Sequence, residues 1–207
     1  MLFHEFQLTQ RFGHAFQVAL ELHQNQIRKN THAPFMTHLL AVSSLVCENI
    51  GFLCDNPHDA EDAVMIAMLH DTIEDQGGMT TYLRLKSEFG DAIADGVLAL
   101  SDSTPDPNNP KPAKSERNRV YREKLLLASP TIALISCCDK VHNLRTMAND
   151  YLVAPSPNVF WHAFSASPHE TVANYEKLGE IYHQRLSGQR ILTLFDLALN
   201  NVKHILP

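Results

Sequence analysis

Apolar residues recur three and four positions apart along nearly the whole chain, and no stretch alternates polar and apolar for the length of a strand. Thr9 can cap a first helix whose inner face runs through Phe12, Phe16, Ala19, His23 and Ile27 and which ends near Arg28-Lys29-Asn30. Pro34 can open a second, with Phe35, His38, Val42 and Leu45 on one stripe, stopped at Gly51. Asn56-Pro57 supplies the cap and first turn of a third, which carries Ala63, Ile66, Leu69 and Ile73 inward and ends at Gly77-Gly78. A fourth begins at Thr80 or Thr81, runs through Tyr82, Leu85 and Phe89 and stops at Gly90; Asp91 caps a fifth with Ile93, Val97 and Leu100.

Four prolines between Asp102 and Lys114 (Pro105, Pro107, Pro110 and Pro112) predict a loop. The helical pattern resumes around Arg117 to Leu127, and Ser129-Pro130 opens a helix that aligns Ile132, Ile135, Asp139 and Asn143. Ser167-Pro168-His169-Glu170 reads as a capping box with proline in the first turn, leading into Val172, Tyr175, Leu178 and Tyr182. A last helix is expected from about Gln189 to Ile205. The pattern predicts an all-α fold: a single multi-helix domain over residues 1–207, its chemistry in about 10–150 and its C-terminal helices, about 167–205, packed on that core.

Composition narrows the partners. At 44% hydrophobic and 19% charged the chain can bury a core, and no apolar run approaches the length of a membrane span, so no membrane partner is expected. The first residues, Met1-Leu2-Phe3-His4-Glu5-Phe6, lack the basic region and long apolar stretch of a secretory signal. The four cysteines (Cys47, Cys54, Cys137, Cys138) form no CxxC pair and read as reduced, which together points to a cytoplasmic protein. A formal charge of −6 argues against a nucleic-acid-coating surface, although a few well-placed lysines and arginines suffice for a small polyanion. The oligomeric state is open.

The densest chemistry lies in Ala67-Met68-Leu69-His70-Asp71-Thr72-Ile73-Glu74-Asp75. On a helix, His70 and Glu74 are one turn apart, as are Asp71 and Asp75, so four ionisable heads point toward a common side of an otherwise apolar segment. Burying such a set is costly unless a cation compensates it. His38 and Asp139 also sit on inward stripes, and with His70 and Asp71 they make two imidazoles and two carboxylates, a donor set suited to Mn²⁺, Fe²⁺, Zn²⁺ or Co²⁺.

The order His38, His70-Asp71, Asp139 resembles the H…HD…D signature of the HD superfamily of metal-dependent phosphohydrolases. Arg28-Lys29 ahead of Pro34-Phe35-Met36-Thr37-His38 is similar to the RK…P-[YF]-x-x-H segment of the RelA/SpoT hydrolase domain. His70-Asp71-Thr72-Ile73-Glu74-Asp75 resembles its HDxxED segment, and Asp139-Lys140-Val141-His142-Asn143-Leu144-Arg145-Thr146 its D-[KR]-x-H-N-x-R-T segment. With no room for a synthetase domain, the chain resembles a stand-alone small alarmone hydrolase. That resemblance implies release of pyrophosphate from the 3′ position of guanosine tetra- or pentaphosphate, with one divalent metal, typically Mn²⁺, on His38, His70, Asp71 and Asp139. It further implies a proton-shuttling pair in Glu74 and Asp75, and substrate contacts from Arg28, Lys29 and Asn143. Two departures, Asn30-Thr31-His32-Ala33 without a glycine and Leu39-Leu40 after His38, fall on the base-binding side and leave guanine against adenine open.

Two alternatives stand beside this reading. One is an HD-type nucleotide phosphatase acting on the 2′-phosphate of NADPH, an adenosine alarmone or nucleoside monophosphates. The other is a non-catalytic, metal-stabilised nucleotide-binding module. The basic stretch Lys111, Lys114, Arg117, Arg119, Arg122 and Lys124 could form a lid over phosphates, or simply a solvated helix face; Phe160-Trp161 reads as a core pair rather than a purine stack.

Overall fold

Four of the helix caps expected from the sequence form, whereas Asp91, expected to cap its helix, lies inside the first turn with Gly90 at the N-cap and no side-chain cap bond. The computed structural model describes residues 3–28, 31–104 and 111–207. In it the Thr9, Asn56, Ser129 and Ser167 side chains each accept a backbone N–H at the start of α1 (Gln10–Leu22), α3 (Pro57–Leu69), α8 (Pro130–Val153) and α10 (Pro168–Arg185). The other helices are α2 (Met36–Ile50), α4 (Thr72–Asp75), α5 (Met79–Phe89), α6 (Asp91–Leu100), α7 (Lys114–Leu127), α9 (Pro157–His162) and α11 (Ile191–Lys203). Among the described residues there is no strand, and the one β-bridge is an isolated pairing between Ile27 and Pro34. No helix among them is long and apolar enough to cross a membrane, and the four cysteines are free thiols.

The centre of the bundle is α3. From Ala60 to Leu69 every residue but Asp62 is buried, as expected of a helix with neighbours on all sides. Those neighbours are α1, α2, α6 and α8. The buried carboxylate on its first turns is structural: Glu61 accepts the Thr9 N–H at 2.6 Å and an Arg11 N–H at 3.1 Å, which pins the start of α1 to α3. The second organising element is α8, 24 residues long and so about 36 Å from end to end, against which α2, α10 and α11 pack. Fully buried Leu39, Leu69, Ile73, Leu134, Ile135 and Phe195 each stabilise the core by roughly 1.5–3 kcal/mol. Gly90 closes α5 and opens α6 at φ +85°, a left-handed conformation that any other side chain would resist.

Three boundaries differ from the periodic reading. The first helix ends at Leu22, well before Arg28. His23 occupies the inward position expected of it, but as the C-cap: its ring stacks on Phe35 and its Nδ1–H donates to Gln26 Oε1 at 2.7 Å, turning the chain out of the helix. Ile27 is consequently exposed and pairs with Pro34 instead of facing the core.

The third helix breaks at His70-Asp71. His70 Nδ1–H takes the Ala67 carbonyl at 2.8 Å and the Thr72 hydroxyl takes the Leu69 carbonyl at 2.6 Å, so side chains compete for acceptors of the last helical turn. Asp71 sits at φ −94°, ψ −4°, and α4 restarts beyond it. The third difference is α9, six residues that carry no readable period and were absent from the expected pattern. Phe160 and Trp161 on it are buried against Tyr151 and Phe164, a core cluster and not a stacking platform.

Candidate active site

The break at His70-Asp71 turns two side chains toward a point that α2 and α8 also face. Four donor atoms converge there. His38 Nε2 lies 3.2 Å from His70 Nε2, 3.4 Å from Asp71 Oδ2 and 3.3 Å from Asp139 Oδ1. His70 Nε2 lies 3.1 Å from Asp71 Oδ2 and 3.8 Å from Asp139 Oδ1. Ligands held about 2.1 Å from one ion stand about 3.0–3.4 Å from one another, so the spacings among His38, His70 and Asp71 and from His38 to Asp139 are those of atoms arranged around a cation, with the His70–Asp139 pair slightly wider. Two buried imidazole nitrogens facing each other cannot both be satisfied by hydrogen bonds without a shared proton or a metal. The set therefore fits a divalent ion, with His38, His70 and Asp71 the tightest group.

Electrostatics agree. Burial alone would push the His70 imidazolium down, but the Asp71 and Asp139 carboxylates overcome it and hold it up at about 9. Burial would likewise raise both aspartates; His70 and His38 pull Asp71 well below the ordinary carboxylate range, and Lys140, 2.5 Å from Asp139 Oδ2, does the same for Asp139. In the metal-free protein a proton on His70 stands where a dication would serve. The His70 Nδ1–H is spent on the Ala67 carbonyl, leaving Nε2 directed at the cluster.

The two acidic residues that follow are sorted into different environments. Glu74 Oε2 accepts the Asp102 N–H at 3.2 Å, and Oε1 faces Lys111 at 3.4 Å and Arg117 at 3.7 Å. Burial, then the charges of Asp102 and Asp71, raise its carboxyl to about 7 despite Lys111. Asp102 itself stays ionised, paired with Arg117. Asp75 is exposed and held from the other side: the Gln26 side-chain N–H donates to Asp75 Oδ2 at 2.7 Å, while Gln26 Oε1 accepts from His23 at 2.7 Å and from Gln76 at 2.6 Å.

His38, His70, Asp71, Glu74, Asp75, Asp102 and Asp139 line one cavity of about 440 Å³, which also takes in Arg28, Phe35, Tyr121, Lys140 and Asn143. A second chamber of about 660 Å³ shares Lys114, Asn118, Lys140 and Asn174 with it. Asn143 is engaged within the site: its N–H donates to Asp139 Oδ1 at 2.5 Å and its Oδ1 accepts from Arg28 at 3.3 Å. The Arg28 guanidinium lies 5.9 Å from the Phe35 ring centroid. Lys29 lies outside the described residues, as does the segment 105–110 of the expected loop. Of the basic stretch, Lys111 and Arg117 reach the Glu74 side of the cavity, whereas Arg119 is held by Glu116 and Glu123 and Lys124 by the Ser101 carbonyl.

Sequence reasoning left several contributors without a role. His142 contacts His38 Nδ1 to Nδ1 at 2.8 Å; it lies one turn after Asp139, so the face of α8 that carries Asp139 and Asn143 already contained the signal. Burial, with His38 and Arg28 nearby, lowers His142 to about 4 and keeps it neutral. Gln26 and Asp102 sit at loop and helix-end positions, where no period marks them.

Comparison with known proteins places these observations in context. The profile of a family described as HD domain matches residues 15–157. A guanosine-3′,5′-bis(diphosphate) 3′-pyrophosphohydrolase, MESH1 of Danio rerio, is 31% identical over 130 residues, covering 62% of this chain and 64% of that protein. The enzyme of the same name from Aquifex aeolicus is 31% identical over 153 residues, 71% of this chain but 19% of that protein. A probable GTP pyrophosphokinase of Mycobacterium leprae is 33% identical over 137 residues, 64% of this chain and 15% of its own length. The chain thus spans less than a fifth of these bacterial relatives. Among solved structures, that of a metazoan ortholog of SpoT superposes with a TM-score of 0.68 at 21% identity, covering 95% of this chain and 97% of that one, and shares the fold.

Proposed function

This chain belongs to the HD-domain family, and from that premise we propose that it removes the 3′-pyrophosphate of guanosine tetra- or pentaphosphate, releasing pyrophosphate. One observation carries the reading: donor atoms of His38, His70 and Asp71 lie 3.1–3.4 Å from one another, with Asp139 Oδ1 3.3 Å and 3.8 Å from the two imidazoles and the Glu74 carboxyl raised to about 7 on the wall of the same cavity. The names of relatives such as MESH1 support the choice of substrate.

His38, His70, Asp71 and Asp139 would hold one divalent cation, Mn²⁺ in this reading. Such an ion, when bound, neutralises phosphoryl charge and makes water more acidic. The remaining work falls to the chain. A water oxygen forms a bond to the ribose-proximal phosphorus while the bond from that phosphorus to the 3′-oxygen breaks. Glu74 takes the proton lost by water, and a carboxyl balanced near neutrality is suited to accept it and give it up again. The leaving 3′-oxygen gains that same proton as Glu74 gives it up, and Asp75, held on the same cavity by Gln26, is the second carboxyl through which it can pass. Asn143, fixed between Asp139 and Arg28, orients the substrate near its ribose. Arg28 beside Phe35 offers a flat cation and a ring to the base, and Lys29 a charge to phosphate.

The test is product analysis. Chelator-stripped, Mn²⁺-reloaded protein is incubated separately with guanosine tetraphosphate, its adenosine counterpart, NADPH and nucleoside monophosphates. GDP and pyrophosphate are expected from the first, lost in Asp71→Ala and Glu74→Gln. Orthophosphate from NADPH or a monophosphate, with the alarmone untouched, would sink this assignment.

A further inference from the structure

His38 presents one ring nitrogen to the donor cluster and the other to a second imidazole. Its Nε2 is the atom that lies 3.2–3.4 Å from His70, Asp71 and Asp139. Its Nδ1 lies 2.8 Å from His142 Nδ1, with ring centroids 4.8 Å apart. Two nitrogens at that distance share one proton, so one ring donates and the other accepts. A ligand must offer a bare lone pair to a cation, and a neutral imidazole with a bare Nε2 carries its proton on Nδ1. The direction of the contact follows: His38 Nδ1–H donates, His142 Nδ1 accepts, and the His142 proton is on Nε2.

We propose that His142 is a positioning residue for the metal site, accepting the His38 Nδ1–H and thereby fixing both the tautomer and the ring plane of His38. The proposal rests on the reading of His38 as a metal ligand. It makes His38 the counterpart of His70, whose Nδ1–H is held by the Ala67 carbonyl at 2.8 Å. One ligand is oriented by backbone, where no substitution can reach it, and the other by a side chain one turn along α8 from Asp139. Ligating imidazoles are generally oriented by such a partner, and losing it weakens metal binding by roughly 10- to 100-fold. His142 also sits beside Asn143, so α8 delivers a candidate carboxylate ligand, the amide that donates to it and the orienting acceptor of a second ligand from one face.

The decisive measurement is Mn²⁺ affinity, by titration calorimetry on chelator-stripped protein, for wild type, His142→Leu, His142→Asn and His38→Ala. His142→Leu removes the acceptor and is expected to bind roughly 10- to 100-fold more weakly. Asparagine places Oδ1 where Nδ1 stood, and His142→Asn is expected to recover most of the loss. In the Zn²⁺-loaded wild type, long-range ¹H–¹⁵N correlation is expected to show the proton on Nδ1 of His38 and on Nε2 of His142. Equal affinity of His142→Leu and wild type, His142→Asn as weak as His142→Leu, or a proton on His142 Nδ1 would each overturn the role of His142 while leaving the metal site standing. A folded wild type that binds no Mn²⁺, or binds it as well after His38→Ala, would remove the ligand reading and this proposal with it.

Discussion

Replacing Glu74 with glutamine should stabilise the metal-free protein while abolishing turnover, and the gain should depend on pH in a direction set by the structure. The Glu74 carboxyl is raised from an ordinary 4.5 to about 7 by burial and by Asp102 and Asp71. A carboxyl whose folded value lies above its unfolded value binds more protons in the folded state, so stability falls as pH rises between the two. Below about 4.5 the group is protonated in both states and contributes nothing; above about 7 the full cost of the buried charge is present. At about 1.36 kcal/mol for each pH unit between those values the cost comes to roughly 3 kcal/mol, an upper figure because Lys111 and residual solvent contact relieve part of it. Glutamine keeps an oxygen for the Asp102 N–H at 3.2 Å and carries no charge. Urea unfolding of chelator-treated wild type and Glu74→Gln, at pH 4.5 and pH 8, reads the difference directly. The two should nearly coincide at the lower pH, and the variant should be more stable by about 2–3 kcal/mol at the higher. A variant no more stable at pH 8, or one with the same gain at both, would refute the raised carboxyl and with it the assignment of Glu74 as the group that exchanges protons near neutrality.

Other outcomes follow from single contacts. Asp139→Ala should weaken Mn²⁺ binding measured by calorimetry, and it should also destabilise the metal-free protein by about 3 kcal/mol in urea unfolding, because it strands Lys140 without the carboxylate 2.5 Å away. Gln26→Leu removes the donor on Asp75 Oδ2 and should lower kcat by roughly 10- to 100-fold with KM little changed; an equal rise in KM would mean that Gln26 serves binding. Gly51→Ala would put a Cβ 2.6 Å from the His4 carbonyl oxygen and from the Phe3 ring, so thermal unfolding should show a loss of about 1–3 kcal/mol as the N-terminal segment is pushed off α2.

The parts of the fold legible in the sequence are those decided by neighbours in the chain. Thr9, Asn56, Ser129 and Ser167 reach N–H groups two or three residues away, so their caps need no tertiary information. Continuous apolar periodicity is also what concealed the break at His70. Ile66, Leu69 and Ile73 are all buried on either side of it, so the hydrophobic stripe passes through unbroken. What stops the helix is the competition of His70 and Thr72 side chains for the Ala67 and Leu69 carbonyls, which is invisible to any count of apolar positions. The early end of α1 has the same character: His23 is inward as its period requires, yet its bond to Gln26 and its stack on Phe35 make it a terminus.

The candidate site divides along the same line. Polar residues on apolar stripes singled out His38, His70, Asp71 and Asp139, because such positions cost energy unless something meets them. Identical helical spacing made Glu74 and Asp75 look alike, and only packing separates them: Asp102, 28 residues away, meets Glu74, whereas Gln26, 49 residues away, holds Asp75. Packing also answers how so many carboxylates can be gathered before an ion arrives. The His70 proton compensates Asp71, and Lys140, adjacent to Asp139 in the chain, compensates Asp139. Those counter-charges are local in sequence and form as α3 and α8 dock. The metal-free protein is therefore expected to fold, and a cation then has to displace one proton from a site whose shape already exists.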